Sequence, residues 1–185
     1  MHFRRRLGPD RRRRANKVAD MRVGDVATRT RAVLASDIEH FTEITGDRNP
    51  LHYDATLAAQ SRFGGIVVQG GVTSGLLNAL VAEDLPGPGS VFLHVDWSFR
   101  APVRPGDVIT ARAEVTGIRD DKAITTLATS ISNQDGVVVL DGTAVVWRDP
   151  TIAAATDPMS RRRRDERADV GMSQEAPSGD PESDG

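Results

Sequence analysis

Asp47 and His52 lie five residues apart, on either side of Asn49 and Pro50. A carboxylate and an imidazole held in one loop can grip a water molecule between them, and histidine exchanges protons near neutral pH. Pro50 fixes its own φ angle and restricts Asn49, so the loop can be rigid. Together the two side chains could supply both proton transfers that are needed to add water across a double bond. The alternative is an ordinary turn with an incidental histidine, because Asp and Asn are common in loops for conformational reasons.

Two adjacent glycines, Gly70 and Gly71, stand at the start of a predicted helix. The first N–H groups of a helix have no intrahelical acceptor and attract a negatively charged oxygen. A thioester carbonyl placed there would have its developing enolate charge stabilised. The alternative is that the glycines only begin the helix or allow a close approach of the backbone.

Composition excludes several other chemistries. The 185 residues include no cysteine, which excludes a disulfide framework, a thiolate metal site and a cysteine nucleophile. The four histidines are scattered, so no metal-ligand spacing is present and no metal site is predicted. The glycines match neither a phosphate-binding loop nor a dinucleotide fingerprint, and Ser74 lies outside a nucleophile elbow. No apolar run approaches the length of a membrane span.

Hydrophobic periodicity and capping signals predict the elements that must position these residues. Ser36 and Glu39 form a capping box, and Gly46 ends the helix that follows. The helix that starts at the glycines is apolar nearly all round, so it should be buried. The elements predicted in this half of the chain are a strand at Val26–Leu34, a helix from Ser36 to Gly46, a short helix from Asp54 through Gln60, and the buried helix from Gly70 or Gly71 to about Leu85.

Four further strands are predicted in the second half of the chain, at Val91–Phe99, Val108–Ile118, Ala123–Ser132 and Val137–Trp147. Turn signals separate them, and Asn133 to Gly136 is the strongest hairpin signal. Strands that follow one another as hairpins imply an antiparallel sheet. One buried helix against this sheet gives an α+β domain.

The two ends of the chain differ from this core in composition. Residues 1–20 are dense in arginine and are expected to form a disordered basic extension, and residues 150–185 a disordered tail that contains Arg161–Arg164. The domain is therefore predicted at 21–149. The extension lacks the apolar stretch of a secretory signal, and with no cysteine the chain fits the cytoplasm. A nucleic-acid arm was the alternative for the basic ends, but solvated tails are favoured.

The segment Thr45–Asp54 resembles the signature loop of the MaoC-like, (R)-specific enoyl-CoA hydratases. Further segments resemble the same family in the same order, and the likeness runs from about Met21 to Trp147. These segments are Arg62–Gly65, Gln69-Gly70, Leu85–Ser90 and Phe99–Asp107. One departure is that Gln69 stands where the family commonly has histidine; glutamine keeps hydrogen bonding but cannot titrate.

The resemblance implies a hot-dog fold, in which an antiparallel sheet wraps around a long central helix, and a homodimer. It implies reversible hydration of trans-2-enoyl-CoA to (R)-3-hydroxyacyl-CoA, with the acyl-CoA thioester as substrate and no metal or redox cofactor. No membrane or nucleic-acid partner is expected. It carries the catalytic roles onto Asp47 and His52, with Gly70 donating its N–H to the thioester oxygen. Neighbouring residues receive supporting roles. Asn49 and Gly71 are assigned to substrate binding and to bracing the loop, and Ser74, Asn78 and Gln69 are assigned to supporting the residues that contact the substrate.

Two other functions compete with this one. A hot-dog acyl-CoA thioesterase would attack the carbonyl carbon instead of the β-carbon, and fold alone does not separate the two reactions. A non-catalytic acyl-binding subunit, or a nucleic-acid-associated protein that uses its arginine-rich ends, is the reading from another class. The intact pair of Asp47 and His52 favours catalysis.

Overall fold

The computed structural model describes residues 21–156, and the two predicted tails lie outside this range except for residues 150–156. Five antiparallel strands form one sheet in the order β1-β3-β4-β5-β2. The sheet wraps around one central helix, so the predicted α+β hot-dog fold is confirmed. The strands are β1 Val26–Ala32, β2 Ser90–Phe99, β3 Val108–Arg119, β4 Ile124–Ser132 and β5 Val138–Arg148; the helices are α1 Ser36–Thr45, α2 Pro50–Tyr53, α3 Ala55–Gln60, α4 Gly70–Glu83 and α5 Pro150–Thr156.

Helix α4 forms the centre of the core. Leu76, Leu77, Leu80 and Val81 are buried along it, at the spacing of one helix face. They meet the inward side chains of β3 and β4, in which burial alternates along the strand as the pleat requires. Each fully buried aliphatic side chain of this kind contributes about 1.5–3 kcal/mol, so the helix is anchored firmly beneath the site at its N-terminus.

The predicted order of strand pairing is wrong at one point, because β2 pairs with β5 and not with β3. The connection from β2 to β3 contains two prolines, which cannot donate to a sheet. It turns instead towards the end of β1, where Gly106 N–H donates to Val33 O and Val33 N–H donates to Asp107 O, both at 2.8 Å. This docking places β3 beside β1 and leaves β2 at the opposite edge. The hairpin predicted at Asn133–Gly136 does join β4 to β5.

The predicted capping box of α1 is also wrong. Ser36 lies inside the helix, and Ala35 occupies the N-cap position without a side-chain hydrogen bond. Asp37 stabilises the start of the helix instead. Its Oδ2 accepts from Leu34 N–H at 2.8 Å and pairs with Arg31. The predicted C-terminus is confirmed: Gly46 adopts a left-handed φ of 76° and donates to Thr42 O at 2.7 Å.

The predicted domain boundary at residue 149 is wrong for the next seven residues, which form helix α5. Asp149 caps this helix, because its Oδ1 accepts from the N–H groups of Thr151 and Ile152 at 2.8 and 3.2 Å. Ile152 lies so close to Gly89 that a Cβ on that glycine would come within 3.1 Å of it. The short apolar segment therefore packs onto the domain. Within residues 21–156, no helix has the length and hydrophobicity to cross a bilayer.

Candidate active site

Two consecutive Asx turns shape the loop that carries Asp47 and His52. Asp47 Oδ1 accepts from Asn49 N–H at 3.1 Å, and Asn49 Oδ1 accepts from Leu51 N–H at 3.1 Å. Asn49 is the N-cap of α2, and Pro50 is the first residue of that helix, where its missing N–H costs nothing. The predicted loop therefore runs from Gly46 to Asn49 and continues as a capped helical turn that carries His52. The turn fixes the direction in which the imidazole points.

His52 is held in one tautomer by a backbone carbonyl. Its Nδ1 lies 2.7 Å from Val67 O, and because a carbonyl oxygen can only accept, Nδ1 carries the proton. In the neutral ring Nε2 then has a free lone pair. Nε2 lies 3.6 Å from Asp47 Oδ2, and the His52 side chain is 10% exposed against 38% for Asp47. The separation exceeds a direct hydrogen bond and leaves both atoms able to accept from one water molecule.

The N-terminus of α4 lies close in the chain to this histidine contact. Val67 O, which holds His52, comes three residues before Gly70, the first residue of α4. Val68 N–H donates to Val103 O at 2.9 Å and so anchors the segment to the β2–β3 connection. Val72 is the first residue of the helix whose N–H bonds within the turn, to Gln69 O, and the N–H groups of Gly70 and Gly71 precede it. Gly70 is exposed, so its N–H can meet a ligand.

Gly71 has a packing reason to be glycine. A Cβ at this position would lie 2.1 Å from the ring of Phe41, so the ring would have to move to make room for any side chain. A Cβ at Gly70 would meet only the ring of Phe99, at 3.2 Å. The two predicted glycines therefore differ: Gly71 lets α1 approach α4, whereas Gly70 presents its backbone next to an exposed aromatic ring.

The three residues predicted to support the site are placed differently. Gln69 is 2% exposed and donates from Nε2 to Ile38 O at 3.3 Å and to Thr42 Oγ1 at 3.1 Å, so it joins α4 to α1 beneath the loop. Ser74 donates weakly to Gly71 O at 3.5 Å, within its own helix. Asn78 is exposed two turns along α4. The structure thus brings Gln69 to the site and leaves Asn78 on the surface.

Two residues near the site carry no signal in the sequence. Thr42 Oγ1 donates to Asp47 O at 2.7 Å, and Tyr53 Oη donates to the same threonine oxygen. Thr42 reads as an ordinary residue of α1, and only its position one turn before the helix-ending glycine marks it. Val67 contributes only a carbonyl oxygen, which every residue has.

A groove beside Gly70 has room for a small-molecule substrate. Its volume is about 450 Å³, and its walls are mostly apolar; it meets the site at Gly70 and Val67. A second groove of about 590 Å³ lies between α1 and α4, along Phe41 and Gly71. Neither is lined by Asp47 or His52. Among residues 21–156, no group of three or more His, Asp or Glu side chains is arranged to hold a metal ion. The other residues that line the groove beside Gly70 include Arg62, Phe63, Thr73, Phe99 and Val103.

The sequence matches the profile of the MaoC like domain over residues 16–136. It is 40% identical over 127 residues to a 3-hydroxybutyryl-CoA dehydratase of Methylorubrum extorquens, covering 69% of this chain and 80% of that protein. It is 39% identical over 126 residues to an (R)-specific enoyl-CoA hydratase of Aeromonas caviae, covering 68% of this chain and 94% of that protein. The solved structure of an (R)-hydratase from A. caviae superposes with a TM-score of 0.67 at 37% identity, covering 71% of this chain and 99% of that one.

Proposed function

The chain belongs to the MaoC-like domain family, and on that premise we propose that it works as an (R)-specific enoyl-CoA hydratase through Asp47 and His52. It is a hydro-lyase: it adds water reversibly to a trans-2-enoyl-CoA and gives the (R)-3-hydroxyacyl-CoA. The observation that carries the assignment of residues is the 3.6 Å separation of His52 Nε2 and Asp47 Oδ2, with the other polar atom of each side chain already bonded.

The first requirement of the reaction is a polarised thioester, because only then is the β-carbon electrophilic. The substrate carbonyl oxygen accepts from Gly70 N–H at the start of α4, where the helix dipole favours negative charge. As water attacks, the π electrons of the C2–C3 bond move towards this oxygen and form an enolate. One such donor is worth roughly 10²–10³ in rate in enzymes that stabilise an oxyanion.

The second requirement is a water molecule held on one face of the substrate. Its two hydrogens point to His52 Nε2 and Asp47 Oδ2, and its oxygen lone pair faces C3. As the O–C3 bond forms, one of these two groups takes a proton from the water. The pair then returns one proton to C2 of the enolate, so the atoms of one water are added. Because Asp47 and His52 lie on one face of the substrate, water and proton are added from that face, and C3 of the product has a single configuration.

The substrate binds in the groove beside Gly70, which is large enough for a short acyl thioester and lined mostly by apolar side chains. Asn49 braces the loop, and Gln69, the N-cap residue of α4, supports it through its hydrogen bonds to α1. We assign the activity to the domain at 21–156 and propose that it acts on acyl-CoA without a metal or redox cofactor, in the cytoplasm.

We also propose that two copies of the chain form a homodimer through strand β2. This strand is an edge of the sheet, and it exposes Val91, Leu93 and Val95. An apolar edge strand is a template for pairing with another chain. Continuation of the sheet into a second copy would cover these side chains.

The test is to incubate the purified protein with crotonyl-CoA and to measure hydration as the loss of the enoyl-thioester absorbance. Product that only an (R)-specific 3-hydroxyacyl-CoA dehydrogenase oxidises supports the proposal. Release of free CoA, detected with a thiol reagent, would instead support a thioesterase. If the folded protein binds acyl-CoA but converts no member of a panel of acyl chain lengths, the result would support a non-catalytic acyl-binding subunit.

A further inference from the structure

One buried hydroxyl lies where the three parts of the site meet. Thr42 Oγ1 donates to Asp47 O at 2.7 Å, accepts from Gln69 Nε2 at 3.1 Å, and accepts from Tyr53 Oη. Thr42 is 4% exposed and Gln69 is 2% exposed, so water does not compete for the hydrogen bond between them. Asp47 is itself a member of the reacting pair, Tyr53 directly follows His52, and Gln69 directly precedes Gly70.

The direction of each hydrogen bond is fixed by elimination. Asp47 O is a carbonyl and can only accept, and the Gln69 amide nitrogen can only donate. The single proton of Thr42 therefore goes to Asp47, and its two lone pairs take the amide and the phenol. A threonine hydroxyl has one donor and two acceptor sites, so Thr42 is fully used. No other arrangement of these protons satisfies all three partners.

These bonds set the relative positions of groups that the sequence keeps apart. Asp47 reaches the site from the end of α1, Tyr53 from α2, and Gln69 from the start of α4. The link to Gln69 spans 27 residues and the link to Tyr53 spans 11 residues. If the hydroxyl were lost, the Asx turn would still shape the loop locally and His52 would still bind Val67 O, but Asp47 would lose its link to Gln69 at the start of α4.

We propose that Thr42 is a positioning residue for the hydration, acting through Asp47, Tyr53 and Gln69 without touching the substrate. The inference rests on the proposed function, since it assigns to Thr42 the alignment of Asp47 and His52 with Gly70. A misplacement of about 1 Å can cost on the order of 10² in rate, because general acid–base and oxyanion contacts both depend on distance.

The experiment compares Thr42→Val with Thr42→Ser in the crotonyl-CoA assay. Valine keeps the shape and removes the hydroxyl, so kcat should fall by roughly 10- to 100-fold while KM changes little. Serine keeps the hydroxyl and should retain kcat within about 3-fold of the wild type. A role in folding alone would lower the amount of folded protein but not the kcat of the folded fraction.

The matched control is Thr129→Val. Thr129 is also 4% exposed, and its hydroxyl likewise donates to a carbonyl, Gly142 O at 3.1 Å, and accepts from a side chain, Trp97 Nε1 at 3.1 Å. It lies in β4, away from the loop. Both valine variants should lower the melting temperature by a few degrees, roughly 2–4 °C for a chain of this length. Only Thr42→Val should lower kcat.

Tyr53→Phe gives a second, milder test if Thr42→Val does not fold, because it removes one bond and leaves the other two. We expect a kcat loss of about 3- to 10-fold with unchanged KM. The proposal is overturned if Thr42→Val and Thr129→Val lose kcat equally, if Thr42→Ser fails to restore it, or if the loss appears in KM alone. Lack of hydration by the wild type would overturn the proposed function instead, before any variant is compared.

Discussion

At the scale of single residues, the site is defined by the atoms that remain free after the loop has folded. Asp47 Oδ1 accepts from Asn49 N–H, and His52 Nδ1–H donates to Val67 O. Oδ2 and Nε2 are left facing each other at 3.6 Å. The hydrogen bonds that build the loop thus leave one side-chain atom of each residue free to meet water, which is what the proposed reaction requires.

Asn49 tests whether a residue in this loop acts by shape or by chemistry. Its side-chain oxygen caps α2, so Asn49→Asp, which keeps an acceptor, should retain activity within about 3-fold. Asn49→Ala removes the cap and should lower the free energy of unfolding by about 1 kcal/mol and reduce kcat. Urea unfolding and the hydration assay check both. Equal inactivity of the two variants would show that the Asn49 amide group itself is needed.

The sequence could single out Asp47, His52 and Gly70 as candidates, from their residue types and spacing together with the family resemblance of the loop. It could not predict Val67 O, a backbone atom 15 residues from His52, nor Thr42, whose partners come from three elements. For Gly71 the sequence left open ligand binding or a close approach of the backbone, and the position of the Phe41 ring favours the close approach. Residue chemistry is local, but the partners that orient it depend on the tertiary fold.

At the scale of elements, α1 depends on a carboxylate rather than on the predicted capping box. Burial alone would raise the pKa of Asp37, but the hydrogen bond from Arg31, the backbone N–H of Leu34 and the charge of Arg31 outweigh it and hold the pKa of that carboxyl below its usual range. The ionised form is therefore the one that stabilises the fold. Helix α1 carries Thr42 and ends at Thr45, two residues before Asp47, so this ion pair supports the candidate site indirectly.

A pH series of urea unfolding tests this arrangement with Asp37→Asn. Because the folded pKa is lowered, the stabilisation is fully present above the ordinary aspartate pKa of about 4 and is lost as the pH falls through the folded pKa. The variant should be less stable than wild type by about 1–2 kcal/mol at pH 7, and the difference should shrink below about pH 4. The protein concentration is kept fixed, since a dimer unfolds in a concentration-dependent way.

The control for that series is Asp121→Asn, which breaks a surface ion pair with Arg119. Both side chains of that pair are more than half exposed, so its loss should hardly change the free energy of unfolding at any pH. A difference between wild type and Asp37→Asn that stays constant from pH 7 to pH 3 would contradict the assigned role of the Asp37 carboxylate.

Helices and strands with strong hydrophobic periodicity could be predicted from the sequence, but the pairing of the strands could not. The buried helix α4 and the strands β2 to β5 follow directly from apolar spacing. The pairing of β2 with β5 depends on where the β2–β3 connection docks, which is a contact with the end of β1. Helix α5 was missed because Pro150–Thr156 is short, and what stabilises it is its Asp149 cap and its contact with Gly89.

At the scale of the whole molecule, the two edges of the sheet differ in character. Strand β1 exposes Thr28 and Thr30 beside two half-buried arginines, whereas β2 exposes Leu93 at 56% and Val95 at 40%. Burial of such side chains against a second copy would remove apolar surface from water at about 25 cal/mol per Å². The proposed homodimer therefore uses the edge that a lone chain would leave open to aggregation.

Charge placed on this edge should separate the two copies. We expect size-exclusion chromatography with light scattering to give the monomer mass of 20.0 kDa for the double variant Leu93→Lys/Val95→Lys and twice that mass for the wild type. Val137→Lys, which changes an exposed residue at the β4–β5 turn, is the control and should stay dimeric. A wild type that is monomeric, or a double variant that remains dimeric, would contradict pairing through β2.

The measurement that tests the central claim most directly is the rate of crotonyl-CoA hydration by wild type, Asp47→Ala and His52→Asn, with Asp121→Asn as a control. The account predicts that each site variant stays folded and loses roughly 10²–10⁴ in kcat, and that the double variant loses little more, because the pair acts as one unit. The control should match wild type. A folded Asp47→Ala or His52→Asn that hydrates crotonyl-CoA at the wild-type rate would contradict the account.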